Sequence, residues 1–159
     1  MTRARFTVEL QADCAPDEAL RRLLDLRAHD RHIPFTRVTP AVPADELTPG
    51  SRFVGRTGVG RFGFDDHMRI EALTFEPAAA TIVKRGRVIR GVVQVTATPS
   101  ATGSVVRWVQ SVHLPWLPGF LQPTAARVLR VGYRRVLVRL LAGSAPEPLA
   151  EVSRSGLEA

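Results

Sequence analysis

The apolar residues near the end of the chain recur at the 3.6-residue period of an α-helix. This pattern covers residues 123–142 and predicts one long helix that buries a single face. A predominantly basic face lies opposite, formed by Arg127, Arg130 and Arg134. The predicted buried stripe consists of Ala125, Leu129, Gly132, Tyr133, Val136 and Leu140.

Most of the chain before this helix alternates apolar and polar residues at the two-residue period of a β-strand. In residues 5–10, for example, Phe6, Val8 and Leu10 share one face. Pro40 restricts a strand at residues 37–42 to the edge of a sheet. The alternation predicts strands at 5–10, 37–42, 52–57, 62–74, 81–85, 88–98 and 104–114.

A second helical pattern follows the first strand directly. Pro16 stands where a first helical residue should, with two acidic residues in the first turn, and the apolar period predicts a helix that ends near Arg27. Residues 29–33 predict a short second helix or a turn, which Pro34 ends.

This order of elements predicts an α+β fold. A curved antiparallel sheet that must bury one face can wrap around the long C-terminal helix, and the two short helices follow the first strand. The interior between sheet and helix is then a natural site for a small apolar ligand. We expect one domain over residues 1–143 and a flexible tail over residues 144–159.

The chain of 159 residues is strongly basic, with a formal net charge of +7. Lys84 is its only lysine, and all other basic residues apart from the histidines are arginines. The excess charge predicts either a solvated basic surface or transient contact with an anionic membrane or an acidic protein. No nucleic acid is expected, because aromatic residues make up only 6% of the chain and no stacking platform is apparent.

The cysteine count, the hydropathy and the histidine spacing argue against a disulfide-bonded, a membrane-spanning or a metal-binding protein. Cys14 is the only cysteine, so no internal disulfide forms, which fits a cytoplasmic protein. No apolar run approaches the roughly 18 residues of a membrane-spanning helix. His29 and His32 lie three residues apart without a third ligand nearby, so we expect no metal and no other cofactor.

Several short sequence motifs follow one another in an order that, taken together, indicates a protein family. They are Ala-Pro-Asp-Glu at 15–18, Leu-Asp at 24–25 before His-Ile-Pro at 32–34, Pro-Gly-Ser-Arg-Phe at 49–53, Phe-Glu-Pro at 75–77 and Gly-Ser-Val-Val-Arg-Trp at 103–108. Over residues 4–142 the chain therefore resembles the START/polyketide-cyclase/Bet v 1-like superfamily, called SRPBCC. The resemblance implies a helix-grip fold over a deep apolar cavity. Members bind lipids, sterols, polyketides or plant hormones, and some cyclise or dehydrate polyketide chains.

Asp66 is the candidate catalytic residue. Strand parity puts it on the face of Phe64, Met68 and Ile70, toward the predicted cavity. A partly desolvated carboxylate there can act as a general base. Two other interpretations stay open: a bulge that turns Asp66 outward, or an ion pair with an arginine.

The other candidate residues would line the cavity. The Gln110 amide can hydrogen-bond a ligand oxygen or be a satisfied core amide, and the Tyr133 hydroxyl can donate to a ligand carbonyl. Gly132 either leaves room for a ligand or allows a strand to approach the helix closely. The predicted ligand-binding set is Phe64, Met68, Ile70, Val93, Val95, Trp108, Gln110, Leu129, Gly132, Tyr133 and Val136.

Three functions remain open from the sequence. The preferred hypothesis is binding of a hydrophobic small molecule, such as a lipid or polyketide, in an internal cavity. The second is a polyketide cyclase or dehydratase with Asp66 as the base. The third is a protein-interaction module that uses the arginine face of the last helix together with Val131 and Val138.

Overall fold

The fold is an antiparallel sheet with a long helix packed against it. A computed structural model describes residues 4–143, and the tail predicted for residues 144–159 lies outside the described part. The helices are α1 (Pro16–Leu24), α2 (Leu26–His32) and α3 (Gln122–Ala142), with single-turn 3₁₀ helices at Ala44–Glu46 and Gly119–Leu121. The strands are β1 (Ala4–Ala12), β2 (Thr36–Thr39), β3 (Arg52–Val59), β4 (Phe62–Phe75), β5 (Ala78–Arg85), β6 (Arg90–Ser100) and β7 (Gly103–Val112).

The seven strands form a single sheet in the order β1-β7-β6-β5-β4-β3-β2. Every neighbouring pair is antiparallel. The first strand pairs with the last, and strands β2 to β7 form a meander. The predicted α+β helix-grip architecture is confirmed, with a curved open sheet, two short helices after β1 and a long C-terminal helix.

The core lies between the inner face of the sheet and the helices. Phe6, Val8 and Leu10 point into it from β1, as the alternation predicts. Helix α1 contributes Leu20 and Leu23, which are almost completely buried. The main neighbours of α3 are β1, α1 and α2.

The first helix is shorter than predicted. It ends at Leu24, because Asp25 adopts an extended conformation and caps the next helix by accepting a hydrogen bond from the backbone N–H of Arg27. Residues 29–32 therefore belong to α2. An aspartate at an N-cap offers the backbone a hydrogen bond that competes with continuing the preceding helix.

The alternation of inward-facing and outward-facing side chains predicted for β4 holds up to Ile70 and then reverses. Asp66 and Ile70 are buried, but the pairing with β5 shifts register between Ile70 and Ala72. The extra residue of this bulge turns Ala72 outward and brings Leu73 against the core.

The buried side of α3 is rotated relative to the predicted stripe. Ala126, Leu137 and Leu141 are buried, whereas Gly132 is exposed. A Cβ at Gly132 would have no atom within 4 Å outside the helix backbone and its chain neighbours, so of the two alternatives for Gly132 the close approach of a strand is wrong. The helix packs mainly on β1, α1 and α2, and Gly132 lies outside this contact.

Candidate functional site

An ion pair is buried on the inner face of the sheet. Lys84 on β5 donates a hydrogen bond to Oδ2 of Asp66 on β4. Only 6% of the Lys84 side chain and 10% of the Asp66 side chain are exposed. The strand register explains the contact: Lys84 is paired with Met68, and Asp66 lies two residues from Met68 on the same face.

The side chain of Tyr133 on α3 lies over this ion pair. The Lys84 Nζ atom is 5.9 Å from the centroid of the Tyr133 ring. The same ring packs against Phe6 and Trp108, with centroid distances of 5.5 and 6.0 Å. The ring nearest the polar pair therefore belongs to a cluster of three aromatic side chains that come from β1, β7 and α3.

Two buried polar atoms of the predicted site residues have no hydrogen-bond partner among the described residues. One is Oδ1 of Asp66, an acceptor, and the other is Nε2 of Gln110, a donor. The Gln110 Oε1 atom accepts a hydrogen bond from Trp108 Nε1 at 3.1 Å, so half of the amide is satisfied. A buried donor or acceptor that lacks a partner costs about 1–3 kcal/mol.

The charge state of Lys84 follows from its surroundings. Burial alone would lower the pKa of Lys84, but Tyr133 and the Asp66 carboxylate outweigh burial and raise it. Lys84 is consequently an ammonium throughout the physiological pH range. The site thus offers a positive charge and an adjacent carboxylate, both buried.

His29 on α2 adds a neutral imidazole close to this site. Burial lowers the pKa of His29; the hydrogen bond to the Leu23 carbonyl opposes this, and the charge of Lys84 lowers the pKa further. The His29 Nε2 atom lies 2.9 Å from the Leu23 carbonyl oxygen, to which it donates. In the neutral ring the Nδ1 atom then carries the lone pair.

The structure brings most of the predicted cavity residues to the inner face of the sheet or the inner side of α3. Ile70, Val93 and Val95 are fully buried, and Trp108 and Gln110 are buried beside them. Gly132 alone in the predicted set is exposed. The half-buried members are Phe64, Met68, Leu129, Tyr133 and Val136.

Sequence reasoning placed Asp66 inward but missed its partner. Of the two alternatives to a free base, the ion pair is present, but its cation is Lys84 and not an arginine. Two features of the sequence could have indicated this partner. Lys84 shares one face of β5 with Ala78, Ala80 and Ile82. It is also the only lysine in a chain whose other cationic side chains, apart from histidine, are all arginine. An isolated lysine on an apolar face indicates a specific partner.

Open grooves also occur on the surface. One, with a volume of about 510 Å³, runs between β1 and the start of α3 and is bordered by Arg5, Arg127 and Arg130. Neither Asp66 nor Lys84 lines it. Within residues 4–143, no three His, Cys, Asp or Glu side chains come together as a metal-binding group. None of the helices in that range has the length and apolar character to cross a bilayer.

A family model described as polyketide cyclase / dehydrase and lipid transport matches residues 3–142. The chain belongs to this family. The match covers nearly the whole chain and includes every strand and helix described above. None of the curated protein sequences compared with the chain matches it significantly.

Solved structures share the fold at low sequence identity. A protein from Chromobacterium violaceum is 14% identical, with a TM-score of 0.67 over 91% of this chain and 99% of that one. The di-domain ARO/CYC StfQ from the steffimycin biosynthetic pathway is 14% identical, with a TM-score of 0.66 over 87% of this chain and 49% of that one. Norcoclaurine synthase from Thalictrum flavum, in complex with dopamine and hydroxybenzaldehyde, is 11% identical, with a TM-score of 0.55 over 91% and 90%. At these identities the likeness concerns the fold alone.

Proposed function

We propose that this protein binds a hydrophobic small molecule that carries carbonyl or hydroxyl oxygens, in the interior between the sheet and α3. The observation that carries the proposal is the buried Lys84–Asp66 pair, in which Asp66 Oδ1 has no partner among the described residues, together with the equally unpartnered Gln110 Nε2 on β7. A ligand hydroxyl could donate to Asp66, and a ligand carbonyl could accept from Gln110.

Apolar and aromatic side chains would supply the rest of the binding surface. Phe6, Trp108 and Tyr133 form an aromatic border, and Val93 and Val95 form part of the floor. Aromatic faces favour a flat, partly conjugated ligand, because stacked rings bury a large area in a defined orientation. A polyketide or an aromatic product derived from one has this combination of flat carbon skeleton and oxygen atoms.

The flank of α3 that carries Leu129, Gly132 and Val136 is the proposed entrance. Leu129 and Val136 are half-buried there, and Gly132 between them leaves open space. A ligand that enters past Gly132 would reach Tyr133, which is the next residue of the helix and lies over Lys84.

The two tryptophans of the chain allow a direct test. Trp108 is buried in the proposed site and Trp116 is exposed, so Trp116→Phe leaves a single tryptophan, in the interior. We expect its fluorescence to change on titration with a hydroxylated anthraquinone, and native mass spectrometry should detect the complex.

The matched control is Trp108→Phe, which leaves only the exposed Trp116. Its fluorescence should respond much less to the same ligand. An equal response from both single-tryptophan variants would place the ligand on the surface and contradict the proposal.

Cyclisation or dehydration of a polyketide chain is the second candidate, and the adjacency of a cation and a carboxylate favours it. Asp66 would remove a proton from a CH₂ group between two ketones, and the Lys84 ammonium would stabilise the enolate oxygen. The enolate carbon would then bond to a second ketone carbon, whose oxygen would take the proton back from Asp66 as a hydroxyl. Loss of water would complete a dehydration.

A linear poly-β-ketone thioester tests this candidate, with products followed by mass spectrometry. Asp66→Asn should abolish formation of the cyclic product while the complex with anthraquinone remains detectable. The neighbouring Asp65→Asn should retain turnover, because Asp65 is on the outer face and pairs with Arg56. If wild-type protein does not alter the spontaneous product distribution, the chain acts only as a binding protein toward such substrates.

A further inference from the structure

The outer surface of α3 combines positive charge with exposed apolar side chains. Val128, Val131 and Val138 are 68%, 54% and 45% exposed. They recur along the outside of the helix, opposite the side that packs on β1, α1 and α2. We call this surface the basic face; it consists of Arg127, Val128, Val131, Arg134, Arg135 and Val138.

The basic face has no compensating negative charge of its own. Helix α3 contains five arginines and no aspartate or glutamate. Among the described residues, no carboxylate lies within ion-pair distance of Arg127, Arg134 or Arg135. Every acidic residue in α1, by contrast, pairs with an arginine of the same helix. The positive charge of α3 is therefore available to an external anionic surface.

Two exposed aromatic residues precede α3 in the chain. Phe120 is 80% exposed and Trp116 is 63% exposed. Trp116 Nε1 donates to the Val88 carbonyl at 3.2 Å, which holds the indole against the outside of the molecule. Aromatic side chains of this kind partition to the interface between lipid headgroups and acyl chains.

We propose that the basic face, together with Phe120 and Trp116, docks onto an anionic lipid bilayer. Phosphate groups of the lipids would neutralise Arg127, Arg134 and Arg135, and the exposed apolar side chains would enter the interfacial layer. This surface is on the opposite side of α3 from Tyr133, so docking does not depend on what the interior binds.

Charge and shape favour a lipid bilayer over another protein as the binding partner of the basic face. A second copy of the chain would bring the same arginines against this face, and like charges repel. An acidic protein would need pockets or anchors that match short valines on one convex helix, whereas a fluid lipid surface adapts to them. The protein carries a formal net charge of +7, which increases attraction to any anionic membrane.

Co-sedimentation with vesicles tests the proposal on the full chain without added ligand. We expect binding to phosphatidylcholine vesicles that contain phosphatidylglycerol, weakening as salt is raised, and little binding to phosphatidylcholine alone. Absence of binding to the anionic vesicles at low salt would overturn the proposal and leave an acidic protein as the alternative partner of this face.

A pair of charge-matched variants separates the basic face from net charge. One replaces Arg127, Arg134 and Arg135 with glutamine, and its control replaces Arg37, Arg52 and Arg107, which are exposed on the sheet. Both lower the net charge by the same three units. The first should reduce vesicle binding roughly 100-fold, at about fivefold for each arginine near the surface. The control should retain most of the binding, and an equal loss in both variants would show that net charge alone attracts the protein.

The contribution of the apolar side chains to vesicle binding can be measured separately. Phe120→Ser should lower binding to anionic vesicles, and the loss should persist at high salt, because burial of an aromatic ring in the interface is not screened by ions. In the Trp108→Phe variant, whose only tryptophan is Trp116, the fluorescence should shift to the blue on vesicle binding. An unchanged Trp116 spectrum in vesicle-bound protein would contradict the proposed orientation.

Discussion

Lys84 on β5 and Asp66 on β4 form an ion pair in which both side chains are buried. Removing one partner of such a pair leaves an uncompensated buried charge. We expect Asp66→Ala to lower the free energy of unfolding by about 3–5 kcal/mol, measured by urea denaturation.

The neighbouring residue Asp65 provides the matched control. Asp65 pairs with Arg56 at 3.2 Å on the exposed face of the sheet, and the side chains are 42% and 60% exposed. Asp65→Ala should therefore cost less than about 1 kcal/mol. The double variant Asp66→Leu with Lys84→Met should recover most of the stability lost in Asp66→Ala, since neither charge is then buried alone. Equal losses from Asp65→Ala and Asp66→Ala would contradict the buried pair.

Stability should decrease on acidification partly through His29. Burial lowers the pKa of His29 below its ordinary value of 6.5, so the unfolded chain binds the proton more readily than the folded one. This contribution is fully present above pH 6.5 and is lost as the pH falls toward the lower folded-state pKa. Urea denaturation between about pH 7.5 and about pH 5 should show a smaller loss of stability in His29→Gln than in wild type.

Exposed His67 serves as the control for this pH dependence. His67→Gln should leave the wild-type slope of stability against pH unchanged. If His29→Gln and His67→Gln behave alike, the burial of His29 does not contribute to the acid sensitivity.

Replacement of Gly132 should stabilise the protein. Gly132 is exposed in the middle of α3, and an added Cβ would meet no atom within 4 Å outside the helix backbone and its chain neighbours. We expect Gly132→Ala to raise the free energy of unfolding by roughly 0.5–1 kcal/mol, because alanine restricts the unfolded chain more than glycine does. Gly91→Ala should instead destabilise, since its Cβ would lie 1.8 Å from the Ser111 carbonyl oxygen.

The same position tests the proposed entrance. Gly132→Leu would fill the open space between Leu129 and Val136 and should lower the affinity for anthraquinone measured by Trp108 fluorescence. Retained affinity in a stably folded Gly132→Leu variant would show that the ligand enters elsewhere.

The buried side chain of Gln122 should stabilise the connection between β7 and α3. Its buried side chain accepts from the Leu114 N–H at 3.0 Å and donates to the carbonyls of Leu114 at 2.7 Å and Leu117 at 2.9 Å. Gln122→Glu removes both donated hydrogen bonds and should cost about 1–3 kcal/mol or more in thermal or urea denaturation. Gln94→Glu, at an exposed position on β6, should have little effect.

The periodicity of the sequence determined the element types and their order. Alternation on β1 and β7 was sufficient to orient Phe6, Val8 and Trp108 inward, because a strand with one buried face must place its apolar residues there. The same rule oriented Asp66, although its chemical partner was not visible.

The end points of the elements were less accessible from the sequence. Asp25 divides the N-terminal helical segment by capping α2, and the bulge after Ile70 reverses the parity of Ala72 and Leu73. Both depend on local hydrogen bonds that compete with the regular period, so periodicity by itself continues through them.

Only the tertiary structure decided which side chains meet. The contact between Lys84 and Asp66 depends on the register between β4 and β5, and the position of Tyr133 over Lys84 depends on how α3 is rotated. Strand register and helix rotation are set by the packing of many residues across the core, and each apolar stripe allows more than one such arrangement. The sequence by itself thus determined a sheet that grips a helix, while packing determined the polar site inside it and the basic face that α3 presents to solvent.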